Sequence, residues 1–467
     1  MVLEIADSDL LPLTPLERIG PKGYVRYIFN YDLGNDYNLD EVANVLHAGL
    51  EATKKRIPSL NCEAYSDTET RQGGVLKVQR MAEGSFQDLI IRDLRNPGDF
   101  PMTYGELKQK SFPLSAFDPD IVCPSDVWFG PGFIMPVSIV QANFVPGGLI
   151  LAWNILQIVG DTMTSFVWAK VWAEECRRAQ GLPIDDPYDI DPAMVSDRQL
   201  LMEPTGKREG KHEDHPEYHI LESGPKTVPP KMLSSDYRGQ IFYFSPAALK
   251  ALKAEAAPAN AKDALGVSWI STNDALSALL WRTLLAVQHP VETLPGNPPS
   301  VFSIAMDGRQ RTDPPIHPHT FGCFLTYIAP SAPVRTMLTE MNLADLSVLI
   351  RKTLTETDGT HTDDVNTLVE TLDHVGNLVP TGYLDEPGPN CMLASWTGFE
   401  LYSLDWGKAL GGTIESVRCP SVGIINGMHM MLPKLPDGGM EVMMSVERSC
   451  LDKLLEDPVW SKFAKAI

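Results

Sequence analysis

Gln157 and Asp161 follow the apolar run Gly148-Leu-Ile-Leu-Ala-Trp-Asn-Ile-Leu, where the sequence pattern changes from strand to helix. The apolar density over 148–156 predicts a buried strand. Phe166, Val167, Lys170, Val171 and Glu174 then mark successive turns of a helix from about Thr164 to Arg178. A strand that turns abruptly into a helix leaves the residues between them at a surface or in a cleft. A carboxamide there has no pKa near neutrality, so Gln157 cannot act as a general base. It can donate an N–H to a carbonyl, or accept a hydrogen bond from a hydroxyl or amide. Asp161 suits either a helix N-cap or an ion pair. Asn154 lies three residues before Gln157 on the same strand. The histidines offer less. His215 and His219 have the spacing of a metal pair on a helix, but Pro216 and the charged surroundings argue against a regular helix. A solvated tract is the preferred reading there, and no metal site is expected. His429 falls in an apolar run, where a satisfied core histidine is favoured over a catalytic one.

The elements that position these residues are readable from period and punctuation. Val42, Val45, Leu46 and Leu50 recur at helical spacing after Asn38, which with Glu41 resembles a capping box. Val75 to Val78 and Phe86 to Ile91 read as short strands. Ser245-Pro246 starts a helix to Glu255, and Ser271-Thr-Asn-Asp274 caps a second one carrying Leu276, Leu279, Leu280 and Leu284. Gln240–Phe244, Val301–Ala305, Thr320–Ile328, Gly423–Leu432 and Met440–Val446 read as strands, with a helix over Leu343–Thr357. Pro436-Asp-Gly-Gly439 is a hairpin turn. Six methionines lie between Met428 and Met444, and those at alternate strand positions could line an adaptable apolar pocket or fill a core.

A chain of 467 residues is too long for one ordinary core. A charged, Pro/Gly-punctuated tract separates an N-terminal unit, 1–203, from a C-terminal one, 233–467, with 204–232 as linker. The net charge of −21 disfavours phosphate backbones and anionic lipids as partners. Seven dispersed cysteines without CxxC spacing fit reduced thiols and show no metal pattern. No apolar run approaches the roughly 18 to 20 residues that span a bilayer, and the N-terminal residues do not read as a secretion signal. A cytoplasmic protein is expected.

Several segments, in order, resemble the BAHD family of coenzyme A-dependent acyltransferases, and especially its fungal secondary-metabolite, trichothecene acetyltransferase-like branch. Ser271-Thr-Asn-Asp-Ala-Leu-Ser-Ala-Leu-Leu-Trp281 is similar to the family's S-T-x-D-A-L helix start. Met306-Asp-Gly-Arg-Gln-Arg311 is similar to its D-x-R segment. Ser395-Trp396 and Asp405-Trp406-Gly407 resemble its S-W and D-F-G-W-G regions, and Leu432 to Val442 its closing hairpin. The resemblance implies an α/β fold of two chloramphenicol-acetyltransferase-like domains, each a mixed sheet with flanking helices, and a channel between them. It implies acyl-CoA as co-substrate, a small-molecule acceptor and a monomer.

In that family the proton acceptor is the histidine of H-x-x-x-D-G, and the aspartate pairs with an arginine. The matching window here is Gln157-Ile-Val-Gly-Asp161-Thr162. The resemblance therefore assigns Gln157 and Asp161 to the reaction centre, with Arg309 as the partner of Asp161. It makes Asp405, Trp406 and Gly407 structural at the site, and Asn154, Ser395, Trp396, His429 and Met431 candidates for substrate contact. Lys408 reads as solvated. Two activities fit a site without its base. One is O- or N-acyl transfer with Gln157 orienting a reactant. The other is a pericyclic or related ring closure, with Gln157 donating to a substrate carbonyl and no cofactor required.

Overall fold

In the computed structural model the described residues are 10–82, 84, 89–128, 132–222, 237–384, 389–420 and 428–467. The strand foreseen over 148–156 runs Gly148–Leu156, and every residue in it is buried. Its near-continuous apolar run is what a central strand covered on both faces requires. It pairs antiparallel with Tyr24–Asp32 on one side and with Ser138–Val145 on the other. Leu89–Asp93 adds to the outer side of Ser138–Val145 in parallel. The fifth strand of this sheet is Ser416–Arg418, which pairs antiparallel with Tyr24–Asp32. The second half of the chain thus returns to complete the first sheet.

Helices Leu39–Arg56 and Thr162–Ala179 cover that sheet. Asn38 caps the former, accepting from the Asp40 and Glu41 amides. The aromatic centre of this layer includes Trp153, Trp172 and Trp406. Trp172 meets Trp153 edge-on at 5.2 Å and Trp406 edge-on at 5.3 Å.

The second sheet has the order Leu325–Ile328, Pro299–Asp307, Cys391–Ser395, Met428–Met431, Met440–Glu447, Tyr237–Phe244 and Lys465–Ala466, with Ser331–Pro333 on the side of Pro299–Asp307. Its middle pairs, Pro299–Asp307 with Cys391–Ser395 and that strand with Met428–Met431, are parallel. Helix Thr272–Gln288 starts on a full Ser271–Asp274 capping box and buries Trp281, which stacks on Phe302 at 5.3 Å. The architecture is two mixed α/β domains, as expected.

Two expectations change. Residues 320–324 do not continue the strand that begins at Leu325. Their backbone instead bends around buried side chains from the first half, and Gly322, at φ +144°, would bring a Cβ to 2.4 Å from Glu17 Oε1. The tract 204–222 is not uniformly solvated, because His215, Glu217 and Tyr218 are buried. Tyr218–Ile220 also pairs with Leu378–Pro380. Of the strands foreseen over 86–91 and 423–432, residues 86–88 and 423–427 lie outside the described residues, as do 223–232 of the 204–232 tract.

Trp406 is fully buried in the first domain although it comes from the second half of the sequence. Trp406→Ala should destabilise the protein by about 3–5 kcal/mol, read from the shift in a denaturant unfolding midpoint. A shift no larger than that of an exposed control such as Trp269→Ala would contradict this packing role.

Candidate active site

The Asp161 carboxylate is positioned by backbone from two places. Its Oδ1 accepts the Thr164 amide at 3.0 Å, capping helix Thr162–Ala179, and its Oδ2 accepts the Phe324 amide at 2.9 Å. Arg309, in the turn after strand Pro299–Asp307, donates to Asp161 Oδ2 at 2.7 Å and to Oδ1 at 2.9 Å. The cap and the ion pair, alternatives in the sequence, are both present. Arg309 also donates to Asp307 Oδ1, the Thr320 carbonyl, Thr164 Oγ1 and the Gly322 carbonyl. Burial opposes its charge, but the carboxylates of Asp161 and then Asp307 outweigh that and raise its pKa. With every donor engaged, this guanidinium is a scaffold rather than a ligand for substrate.

The cavity that this network borders has a volume of about 200 Å³ and is lined from both domains. The first domain contributes the start of strand Tyr24–Asp32, Gln157 and the helix start at Asp161 to Met163. The second contributes residues of four strands: Met306 and Asp307, Leu325 and Tyr327, Met392 to Ser395 with the following Trp396, and Met428 and Met430. Gln157 is half-buried. Its backbone N–H donates to the Gly23 carbonyl at 3.0 Å, which fixes the turn after the strand. Among the described residues its carboxamide makes no hydrogen bond within the protein, so its donors and acceptor are available to whatever enters the cavity.

Ser395 and Trp396 also line the cavity. Trp396 stacks on Tyr27 at 4.9 Å. Ser395 Oγ lies 3.3 Å from Asn273 Oδ1 and 3.0 Å from Thr397 Oγ1. The other sequence candidates lie elsewhere. Asn154 is buried against the Ser125 turn and donates to Ser125 Oγ at 3.0 Å. His429 and Met431 are fully buried, and the Ser445 amide donates to His429 Nδ1 at 3.3 Å. On that strand it is Met428 and Met430 that face the cavity, as alternation requires. Asp405, Trp406 and Gly407 lie at the opposite end of helix Thr162–Ala179 from Asp161, a span of roughly 27 Å. There Gln180 Nε2 donates to the Trp406 carbonyl at 2.8 Å and Asp405 meets Arg177 at 3.3 Å. Gly407, at φ +82°, would place a Cβ 2.4 Å from Gln180 Nε2. Lys408 is exposed.

Two cavity residues escaped the sequence reading. Arg26 comes from strand Tyr24–Asp32 and donates to the Ser125 carbonyl at 2.6 Å. Asp307 gives Oδ1 to Arg309, and among the described residues its Oδ2 accepts no hydrogen bond. The D-x-R spacing carries a signal for Asp307 as well as for Arg309.

A two-domain α/β fold with a shared cavity at strand ends, and an aspartate locked by an arginine across the domains, defines an acyltransferase-like enzyme. The chain matches the Transferase family over residues 136–459 and the Trichothecene 3-O-acetyltransferase-like N-terminal domain over 24–166. It belongs to the Transferase family, whose members are of the BAHD type. It is 26% identical over 485 residues to the eremophilane O-acetyltransferase prx11 of Penicillium rubens, covering 96% of this chain and 97% of that one. It is 25% identical over 458 residues to the enoyl-CoA isomerase/hydratase claC of Penicillium crustosum, where it spans only 50% of the longer protein. The fold is similar to that of F. graminearum TRI101 complexed with coenzyme A and T-2 mycotoxin, with TM-score 0.83, 23% identity and coverage of 98% and 99%. Among the described residues no helix is long and apolar enough to cross a membrane.

Arg309→Ala strands the buried Asp161 carboxylate and should cost about 3–5 kcal/mol. Asp161→Asn in the same chain should recover part of that loss, because the uncompensated charge is then gone. Thermal unfolding of the two single variants and the double variant measures this coupling, and strict additivity would contradict it.

Proposed function

We propose that the chain transfers an acyl group from an acyl-CoA thioester to a hydroxyl or amine of a small molecule held in the interdomain cavity. Gln157 takes the position at which the family's H-x-x-x-D window carries its histidine. The observation that carries this reading is a carboxamide at the end of the central strand that, among the described residues, has no hydrogen-bond partner and lines a cavity built by both domains. The coenzyme A complex of the similarly folded F. graminearum protein supports the choice of donor.

In the reaction the acceptor oxygen or nitrogen bonds to the thioester carbon, and the carbonyl oxygen gains negative charge. Gln157 Nε2 donates to that oxygen, the role of a preorganised oxyanion donor. The acceptor's proton has to leave, and a carboxamide cannot take it. Asp307 Oδ2, which also lines the cavity and among the described residues accepts no hydrogen bond, takes it and returns it to the departing coenzyme A thiolate. As a side-chain type a carboxylate is a weaker base than imidazole, so the acceptor is expected to be intrinsically nucleophilic.

One observation favours a second reading. The cavity is walled largely by Met, Trp, Tyr, Phe, Leu and Val side chains around one free amide. That composition equally suits ring closure of a reactive intermediate, which needs positioning and one hydrogen bond but no base.

Turnover assays with acyl-CoA and candidate acceptors separate the two. With wild type we expect free thiol released in step with ester or amide formation. Gln157→Ala should lower kcat by about 10²–10³, and Asp307→Asn should lower it while leaving binding of acyl-CoA in calorimetric titration unchanged. Thiol release only by Gln157→His, with wild type consuming a cyclisation precursor in the absence of acyl-CoA, would replace acyl transfer with the second reading.

A further inference from the structure

His215 and Glu217 lie in the tract that leads out of the first domain, and His361 opens helix His361–Glu370 much later in the chain. The fold brings these three side chains together so that one ligand atom from each lies within 4.8 Å of the other two. Glu217 Oε1 is 2.9 Å from His215 Nδ1 and 3.6 Å from His361 Nε2. Around a tetrahedral zinc ion with bonds of about 2.0–2.2 Å, donor atoms stand roughly 3.3–3.6 Å apart. Small side-chain adjustments would therefore bring all three donors onto one ion.

The charges point the same way. The Glu217 side chain is 5% exposed, and among the described residues no lysine or arginine lies within ion-pair distance of it. A second carboxylate, Asp364, stands with Oδ2 3.5 Å from His215 Nε2, and its Oδ1 accepts the Gly210 amide. A buried carboxylate needs a compensating cation. A divalent ion held by neutral imidazoles would balance both. His215 Nε2 is itself buried and, among the described residues, makes no hydrogen bond. With Nδ1 bound to a metal, Nε2 carries the proton and points at Asp364. That is the carboxylate–histidine–metal relay that orients metal-binding imidazoles.

We propose that His215, Glu217 and His361 bind a zinc ion, with a water as its fourth ligand and Asp364 behind His215. Two imidazoles and a carboxylate suit Zn(II) over the harder magnesium and calcium. The site is separate from the active-site cavity. Thr326 Oγ1 contacts His361 Nε2 at 3.0 Å and Tyr218 Oη at 3.2 Å. Its strand neighbours Leu325 and Tyr327 face the cavity instead. The ion would clasp the 212–220 tract and helix His361–Glu370 to the back of that strand. It would support the cavity wall without touching substrate.

The test uses the untagged full chain, stripped with a chelator and titrated with Zn(II) against a chromophoric competitor, and with Co(II) by visible absorption. We expect one ion per chain, the intense bands of four-coordinate Co(II), and a thermal midpoint that rises with zinc concentration. Glu217→Gln and His361→Ala should each weaken binding by about 100-fold or more, with the folded state verified by circular dichroism. His212→Ala, in the same tract but outside the cluster, should bind as wild type does. A folded wild type that takes up less than one ion per chain at micromolar zinc overturns the proposal. So does binding that survives unchanged in both cluster variants. None of these readings depends on the acyl-transfer assignment.

Discussion

Asp161 and Arg309 come from different halves of the chain and meet as a buried, doubly hydrogen-bonded ion pair on which the active-site architecture depends. Withdrawing two charges from water costs several kcal/mol for each, and the attraction between them repays this only when the remaining lone pairs and protons are also satisfied. Here they are. The carboxylate takes two backbone amides as well as the guanidinium, and the guanidinium takes two backbone carbonyls, a threonine hydroxyl and Asp307. The pair fixes three things at once: the start of helix Thr162–Ala179, the bend at 320–324 and the end of strand Pro299–Asp307. A second buried pair works between the sheets. Arg418, on the strand that the second half lends to the first sheet, donates to Glu441 Oε2 at 2.6 Å and to the carbonyls of Ser111 and Phe112. Both of those residues adopt positive φ, 57° and 52°, and such strain in non-glycine residues persists only where surrounding contacts enforce it.

This scaffolding leaves Gln157 little freedom in its backbone and full freedom in its hydrogen bonding. Its amide N–H is tied to Gly23, and the Asp161 turn follows four residues later, so the side chain is aimed without being consumed. A histidine in this position would contribute a proton acceptor. A glutamine contributes N–H donors and a carbonyl acceptor that, among the described residues, no internal partner consumes. On the function proposed above, the chemistry would rest on orientation and charge stabilisation, with proton transfer left to a neighbour or made unnecessary.

Most of the fold was legible because its signals are local. The Ser271–Asp274 capping box, the Ser245-Pro246 helix start and the unbroken apolar run at 148–156 each declare an element within a few residues. The pairing of Asp161 with Arg309 followed from the family resemblance, not from local pattern. What escaped was set by long-range packing. Strand parity decides that Met428 and Met430 face the cavity while His429 and Met431 face the core, and parity depends on a register that sequence leaves open. The apolar character of Trp406 gave no hint that it belongs to the other domain, across from Tyr31 and Trp172. Nor did charged residues around His215 reveal burial, because its partner His361 lies far along the chain.

The strand Leu325–Ile328 shows how one element can serve two environments without coupling their chemistry. Its odd-numbered side chains, Leu325 and Tyr327, meet the apolar cavity, while Thr326 between them turns to the polar His215–Glu217–His361 cluster. A backbone only one strand thick separates the largely apolar cavity from the buried polar cluster. This is tolerable because successive side chains point to opposite faces of the strand. The strand sits at the edge of its sheet, where only Pro299–Asp307 pairs with it. Its position therefore depends on what is packed behind it as much as on the ladder. Contacts at the back of an edge strand consequently help to set the width of the cavity at its front.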